Sequence, residues 1–102
     1  MSELVEFDDL ELLDGGDLRA VFDQVSSDQI LDALVGTRIG FRQLLLTKLP
    51  ASSARVLEAQ IDTHGPVSFE SVMTAQRAVV ETLCRLSRAG VVAFDDPEDM
   101  VA

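Results

Sequence analysis

The chain has one cysteine, one histidine, three prolines, no tryptophan and no tyrosine. A lone cysteine, Cys84, excludes an internal disulfide, and with His64 it falls short of the four ligands of a structural zinc site. Neither a metal site nor a bound cofactor is expected. Lying between Leu83 and Leu86, the thiol reads as a small buried hydrophobe. Aromatics on which bases could stack are scarce, and a formal net charge of −10 opposes phosphate binding, so nucleic acid is excluded as a partner. No apolar run approaches the roughly 20 residues that span a bilayer, which excludes direct membrane insertion. The opening MSELVEFDD is acidic where an export signal would be basic and then apolar, and it reads as the start of a cytoplasmic protein.

What is present is a 102-residue chain, 47% hydrophobic, sufficient for a single domain with one core. Its charge is uneven. Residues 1–32 hold ten acids against Arg19 alone, residues 33–90 hold seven bases against four acids, and the last twelve residues hold four acids and no base. A mildly basic middle between acidic ends is either a dipole that steers a partner or a plain solvated surface.

Helix signals follow one another along the chain. FDDLELLD spaces Phe7, Leu10 and Leu13 by three, the pattern of a short amphipathic helix with its acids at the favourable end of the dipole. Gly15-Gly16 reads as a break before DLRAVFDQV restarts a helix through Leu18, Val21, Phe22 and Val25. In SSDQILDALVG, Ser26 and Gln29 form a capping box, Val25 can staple onto Ile30, and Gly36 is expected to close the helix in the left-handed conformation. Thr37 is the expected cap of the next helix, whose apolar residues (Ile39, Phe41, Leu44, Leu45, Leu46, Leu49) are so broadly spread that it reads as the central, many-sided element. Pro50 ends that segment and opens another, with Ala54, Leu57 and Ile61 turned inward.

The stretch HGPVS then stops one helix and starts the last. His64 and Gly65 end the first, Pro66 prevents its continuation, Ser68 caps the second, and Val67 can staple onto Val72. The final helix is predicted from about Phe69 to Ala89, with Val72, Ala75 or Gln76, Val79, Val80, Leu83 and Leu86 inward and Gly90 at its end. VVAF is expected to be extended, and DDPEDMVA acidic and mobile. The sum is an all-α, single-domain, armadillo-like bundle of about six helices over residues 1–102, with a tail at 95–102.

No convergent set of titratable groups marks an enzyme. Asp8, Asp9 and the acids of the tail read as solvated, Ser26-Ser27 and Ser52-Ser53 lack a histidine partner by motif, and Gly15-Gly16 lacks the fingerprint of a phosphate loop. Catalytic residues are therefore none, and function is expected to lie in surfaces.

The order FDDLELLD, DQILDALVG, HGPVSFESVMTAQRAVVETLCRLSRAGVVAF resembles the C-terminal domain of the flagellar motor switch protein FliG family, from about Leu4 to Phe94. The resemblance implies a rotor domain in which charged residues on a helix face engage the cytoplasmic part of the membrane stator. It further implies other switch-complex proteins or rotor subunits as partners, self-association included, and a place at the inner face of the membrane in the basal body. The family's lysine in Ala-Leu-Lys-Gly falls on Val35, an arginine on Ser52, an acidic pair on Ala59 and Gln60, and the arginine of Gly-Pro-Val-Arg on Ser68. All five are uncharged here. Arg55 and Asp62 are candidate substitutes from neighbouring positions, set against an ordinary solvated face. The resemblance also implies a right-handed superhelical bundle with a hinge-like start at 1–6, since the family's apolar hinge falls on Leu4, Val5, Glu6 and Phe7. Two functions follow as expectations: a motor switch interaction domain, or a divergent adaptor that kept the fold and lost torque generation.

Overall fold

Phe7, Leu10 and Leu13 recur every three residues because the segment carrying them is a 3-10 helix, Phe7–Leu12, with three residues per turn. All three are buried. The computed structural model describes residues 6–92, so the hinge-like start before Glu6, the end of VVAF and the tail at 95–102 lie outside the described residues. Five α-helices follow: α1 (Gly15–Asp23), α2 (Ser27–Val35), α3 (Ile39–Lys48), α4 (Ala51–Thr63) and α5 (Phe69–Arg88). The described residues are thus an all-helical stack of six helices.

The starts of these helices follow the local chemistry. Asp14, Ser26 and Ser68 each accept a backbone N–H three residues on, at 2.8, 3.3 and 3.1 Å. Each such cap is worth about 1 kcal/mol. Gly15 and Gly16 do not break the chain; they are the first two residues of α1, behind the Asp14 cap. Thr37 is not a cap either. Arg38 stands at the start of α3 without a side-chain cap bond, and its guanidinium lies 3.9 Å from Asp8.

Helix α5 is the centre. Val79 and Leu83 are fully enclosed, and α5 packs against α2, α1 and the 3-10 helix, with α2–α5 the most extensive contact. Its end is a Schellman motif: Gly90 has φ 77°, its N–H reaches the Ser87 carbonyl at 3.1 Å, and the Val91 N–H reaches Leu86 at 2.9 Å. Helix α3 is not the buried hub that its apolar content suggested. Phe41, Leu45, Leu46 and the following Leu49 face the core, but Ile39 and Leu44 are exposed. Apolar residues spread around α3 find an element to pack on along one side only, and Phe41 meets Phe7 edge-on there, with ring centroids 5.8 Å apart.

Gly36 ends α2 with φ −82°, an ordinary right-handed value. Glycine is required there by space. A Cβ at Gly36 would sit 2.3 and 2.5 Å from the two methyl carbons of Val72 on α5. Gly36→Ala should therefore cost about 1–3 kcal/mol through overpacking, and adding Val72→Ala should recover part of the loss. Urea denaturation of both single variants and the double reads the coupling directly, and strictly additive effects would refute the contact.

Candidate functional site

Helix α4 is the least enclosed of the α-helices; none of its residues is fully buried. Ala54, Leu57 and Ile61, half-buried, hold it against the core, as their spacing predicted. They sit three and four apart, so the opposite ridge of the helix carries Ser52, Val56, Ala59 and Thr63. All four are exposed, Val56 to 58%. Thr63 spends its hydroxyl on the carbonyls of Ala59 and Gln60, at 3.1 and 3.3 Å. The ridge is uncharged along its whole length.

Each flank of this ridge borders a depression. Toward α3, a groove of about 630 Å³ is lined by Gln43, Leu46, Ala54, Arg55 and Glu58 among others, and a neighbouring one of about 210 Å³ shares Gln43, Leu46 and Glu58 and adds Arg42, Ile61 and Asp62. Toward α2, Ser27, Ser52, Ser53, Val56, Leu57 and Gln60 line a shallow hollow. Arg55 and Asp62 therefore share one flank of α4, while Ser52 and Gln60 border the other. Arg55 and Asp62, expected as substitute charges for Ser52, Ala59 and Gln60, thus form a charged shoulder beside the neutral ridge and do not lie on it. Val56 was missed. Its signal was available, since a residue opposite an Ala54–Leu57–Ile61 stripe must point outward.

The remaining candidate positions are used differently. Val35 is the last residue of α2 and half-buried, beside the Gly36–Val72 contact. Ser68 is exposed, but its hydroxyl is committed to the Ser71 N–H and also donates to the Ser71 hydroxyl at 2.9 Å. His64 follows the last residue of α4; its Nδ1 lies 2.9 Å from the Gly65 carbonyl oxygen, beyond the helix, and its Nε2 lies 3.2 Å from Asp32 on α2. It thereby ties the end of α4 to α2. Carbonyls at the end of α2 accept side-chain donors from two sides, Ala33 from Gln76 at 3.2 Å and Leu34, which also accepts the Thr37 N–H, from Arg42 at 3.4 Å. Among the described residues no three His, Cys, Asp or Glu side chains come together as metal ligands. The geometry offers van der Waals contact and hydrogen bonding along an exposed helix.

A family model described as the FliG C-terminal domain matches residues 1–94. The chain belongs to that family. It is 27% identical over 88 residues to the flagellar motor switch protein FliG of Pseudomonas aeruginosa, covering 86% of this chain and 26% of that protein. To FliG of Thermotoga maritima it is 25% identical over 97 residues, 93% of this chain and 29% of the relative. Full-length FliG from Aquifex aeolicus shares the fold with a TM-score of 0.75 at 23% identity, over 86% of this chain and 27% of that one. The chain thus spans a little over a quarter of the length of the FliG proteins it matches. On α4, Ser52 and Ala59 lie along the neutral ridge, while Gln60 lies on its flank toward α2.

Proposed function

We propose that this chain is a FliG-type rotor domain, a non-enzymatic interaction module of the flagellar motor switch working at the cytoplasmic face of the inner membrane. Its partners are proteins: the cytoplasmic part of the stator, other switch proteins, or neighbouring rotor subunits. The observation that carries this reading is the family match across residues 1–94, joined to a helix, α4, that is held from beneath and open above. No helix among the described residues is long and apolar enough to cross a membrane, in keeping with attachment through other proteins.

A second reading is favoured by one specific observation. Val35, Ser52, Ala59, Gln60 and Ser68 all lack charge. Partly solvated charge pairs contribute up to about 1 kcal/mol each, and several in a row set both strength and orientation; neutral Ser, Ala and Gln replace them with weaker hydrogen bonds. A divergent adaptor that kept the fold and exchanged torque for another contact suits that surface.

Deletion of the gene, followed by isolation of flagellar basal bodies from cells carrying a tagged copy, separates the two. The rotor reading expects the deletion strain to stop swimming and the tagged chain to purify with basal bodies. Normal swimming together with basal bodies free of the chain would leave only the adaptor.

A further inference from the structure

The register of α4 points to a specific occupant for its open side. Ser52, Val56, Ala59 and Thr63 are separated by four, three and four residues, the spacing of a helix–helix seam. Arg55 and Asp62 are seven residues apart and hold the same flanking position beside that seam, two turns from each other. Ser53 and Gln60 hold the equivalent position on the other side. Among the described residues neither Arg55 nor Asp62 makes an ion pair, although Arg55 shares a groove with Glu58 and Asp62 shares one with Arg42.

When two identical helices pack antiparallel about a two-fold axis, a flanking position of one helix faces the same flanking position of the other. With Val56 packed against Ala59 of the second copy, Arg55 falls opposite its Asp62, and Asp62 opposite its Arg55. On the far side Ser53 falls opposite Gln60, a neutral polar pair, again twice. A parallel arrangement has no such match, because it sets Arg55 against Gln60. The seam itself carries no charge that would be stranded on closing, and Ala59 lets the helices approach closely. In a chain of net charge −10, whose copies repel in general, a self-complementary flank is the feature that overcomes that repulsion locally.

We infer that α4 is a homodimerisation helix, pairing antiparallel with α4 of a second copy through Ser52, Val56, Ala59 and Thr63 and clasped by two Arg55–Asp62 ion pairs. Thirteen residues of helix bury a small area, roughly below 1,200 Å², so the dimer is of the weak, reversible kind. Pairing hides the same ridge that a stator or switch partner would use, so dimer and partner complex exclude each other. The inference does not depend on the rotor reading: it concerns the purified chain alone.

Sedimentation velocity over a concentration series of the purified full chain tests it. The wild type should show a monomer–dimer equilibrium that weakens as salt is raised. Arg55→Asp and Asp62→Arg should each weaken self-association about tenfold, since each turns two attractive pairs into two repulsive ones. The double variant should return to near wild-type affinity. Mixing the two single variants should give a heterodimer tighter than either homodimer, because both cross pairs are then complementary. Circular dichroism and thermal melts of the variants should match the wild type, since both residues are exposed. A chain that stays monomeric at the highest attainable concentration overturns the inference. So does self-association that the reversals and their mixture leave unchanged, which would assign the contact to another surface.

Discussion

Leu83→Ala is expected to lower the free energy of unfolding by about 2–5 kcal/mol. Leu83 is completely enclosed, on the face of α5 that meets the rest of the stack. Removing its three outer carbons leaves a cavity walled by several helices, none of which can close it without disturbing its other contacts. Each kcal/mol is worth roughly 4–8 °C in the melting temperature of a domain this size, so a thermal melt followed by circular dichroism resolves the effect easily. Leu12→Ala is the control. Leu12 belongs to the 3-10 helix but is 67% exposed, and its truncation should change stability by no more than about 0.5 kcal/mol. Comparable losses from the two variants would refute α5 as the centre of the core.

Gly15→Ala should also destabilise strongly, while Gly16→Ala beside it should not. A Cβ on Gly15 would lie 2.1 Å from the carbonyl oxygen of Lys48 and 3.2 Å from its carbonyl carbon, and both atoms are backbone. No rotamer change can make room. Either α1 or the end of α3 must move, and Lys48 is fixed further by its ammonium, which donates to the carbonyls of Glu11 and, at 2.6 Å, Leu13. Overpacking of this kind costs about 1–3 kcal/mol or more, set against the roughly 1 kcal/mol that alanine contributes over glycine inside a helix. At Gly16 the only neighbour is a carboxylate oxygen of Asp14 at 3.6 Å, ordinary contact, so the helix preference should win and stability should hold or rise by up to about 1 kcal/mol. Urea midpoints of the two variants should move in opposite directions. A shift in the same direction for both would mean that α1 and α3 do not approach this closely.

These two glycines mark the boundary of what can be read from residues alone. Adjacent and alike in the sequence, they read as a chain break, because Gly-Gly weakens helices locally. What makes Gly15 necessary is a carbonyl 33 positions later. Gly36 repeats the lesson. Its place after a helix suggested a left-handed cap, yet its φ is ordinary and the constraint comes from Val72, while Gly90, in the same local setting, does adopt φ 77° and completes a Schellman motif. The two helix ends cannot be told apart without knowing what packs over them.

The candidate site divides the same way. Pro66 between His64 and Ser68, and the inward stripe of Ala54, Leu57 and Ile61, were sufficient to place α4 and its end. That Arg55 and Asp62 border a groove with α3, rather than sharing the crest with Ser52 and Ala59, depends on where α3 lies. The broad apolar content of α3 misled for a related reason: composition counts apolar residues without saying whether a neighbour arrives to cover them, and Ile39 and Leu44 face outward.

By itself the sequence determined the helices, most of their starts and ends, the helical class of the fold and the uncharged positions on α4. Those features rest on caps, turns and periodicities acting over a few residues, where propensity and hydrogen-bond chemistry decide locally. Only the tertiary structure decided that α5 is the centre, why Gly15 and Gly36 are glycine, and which ridge of α4 stays open. Each of these is a contact between residues some tens of positions apart, set by how whole helices share space, and no local preference encodes it.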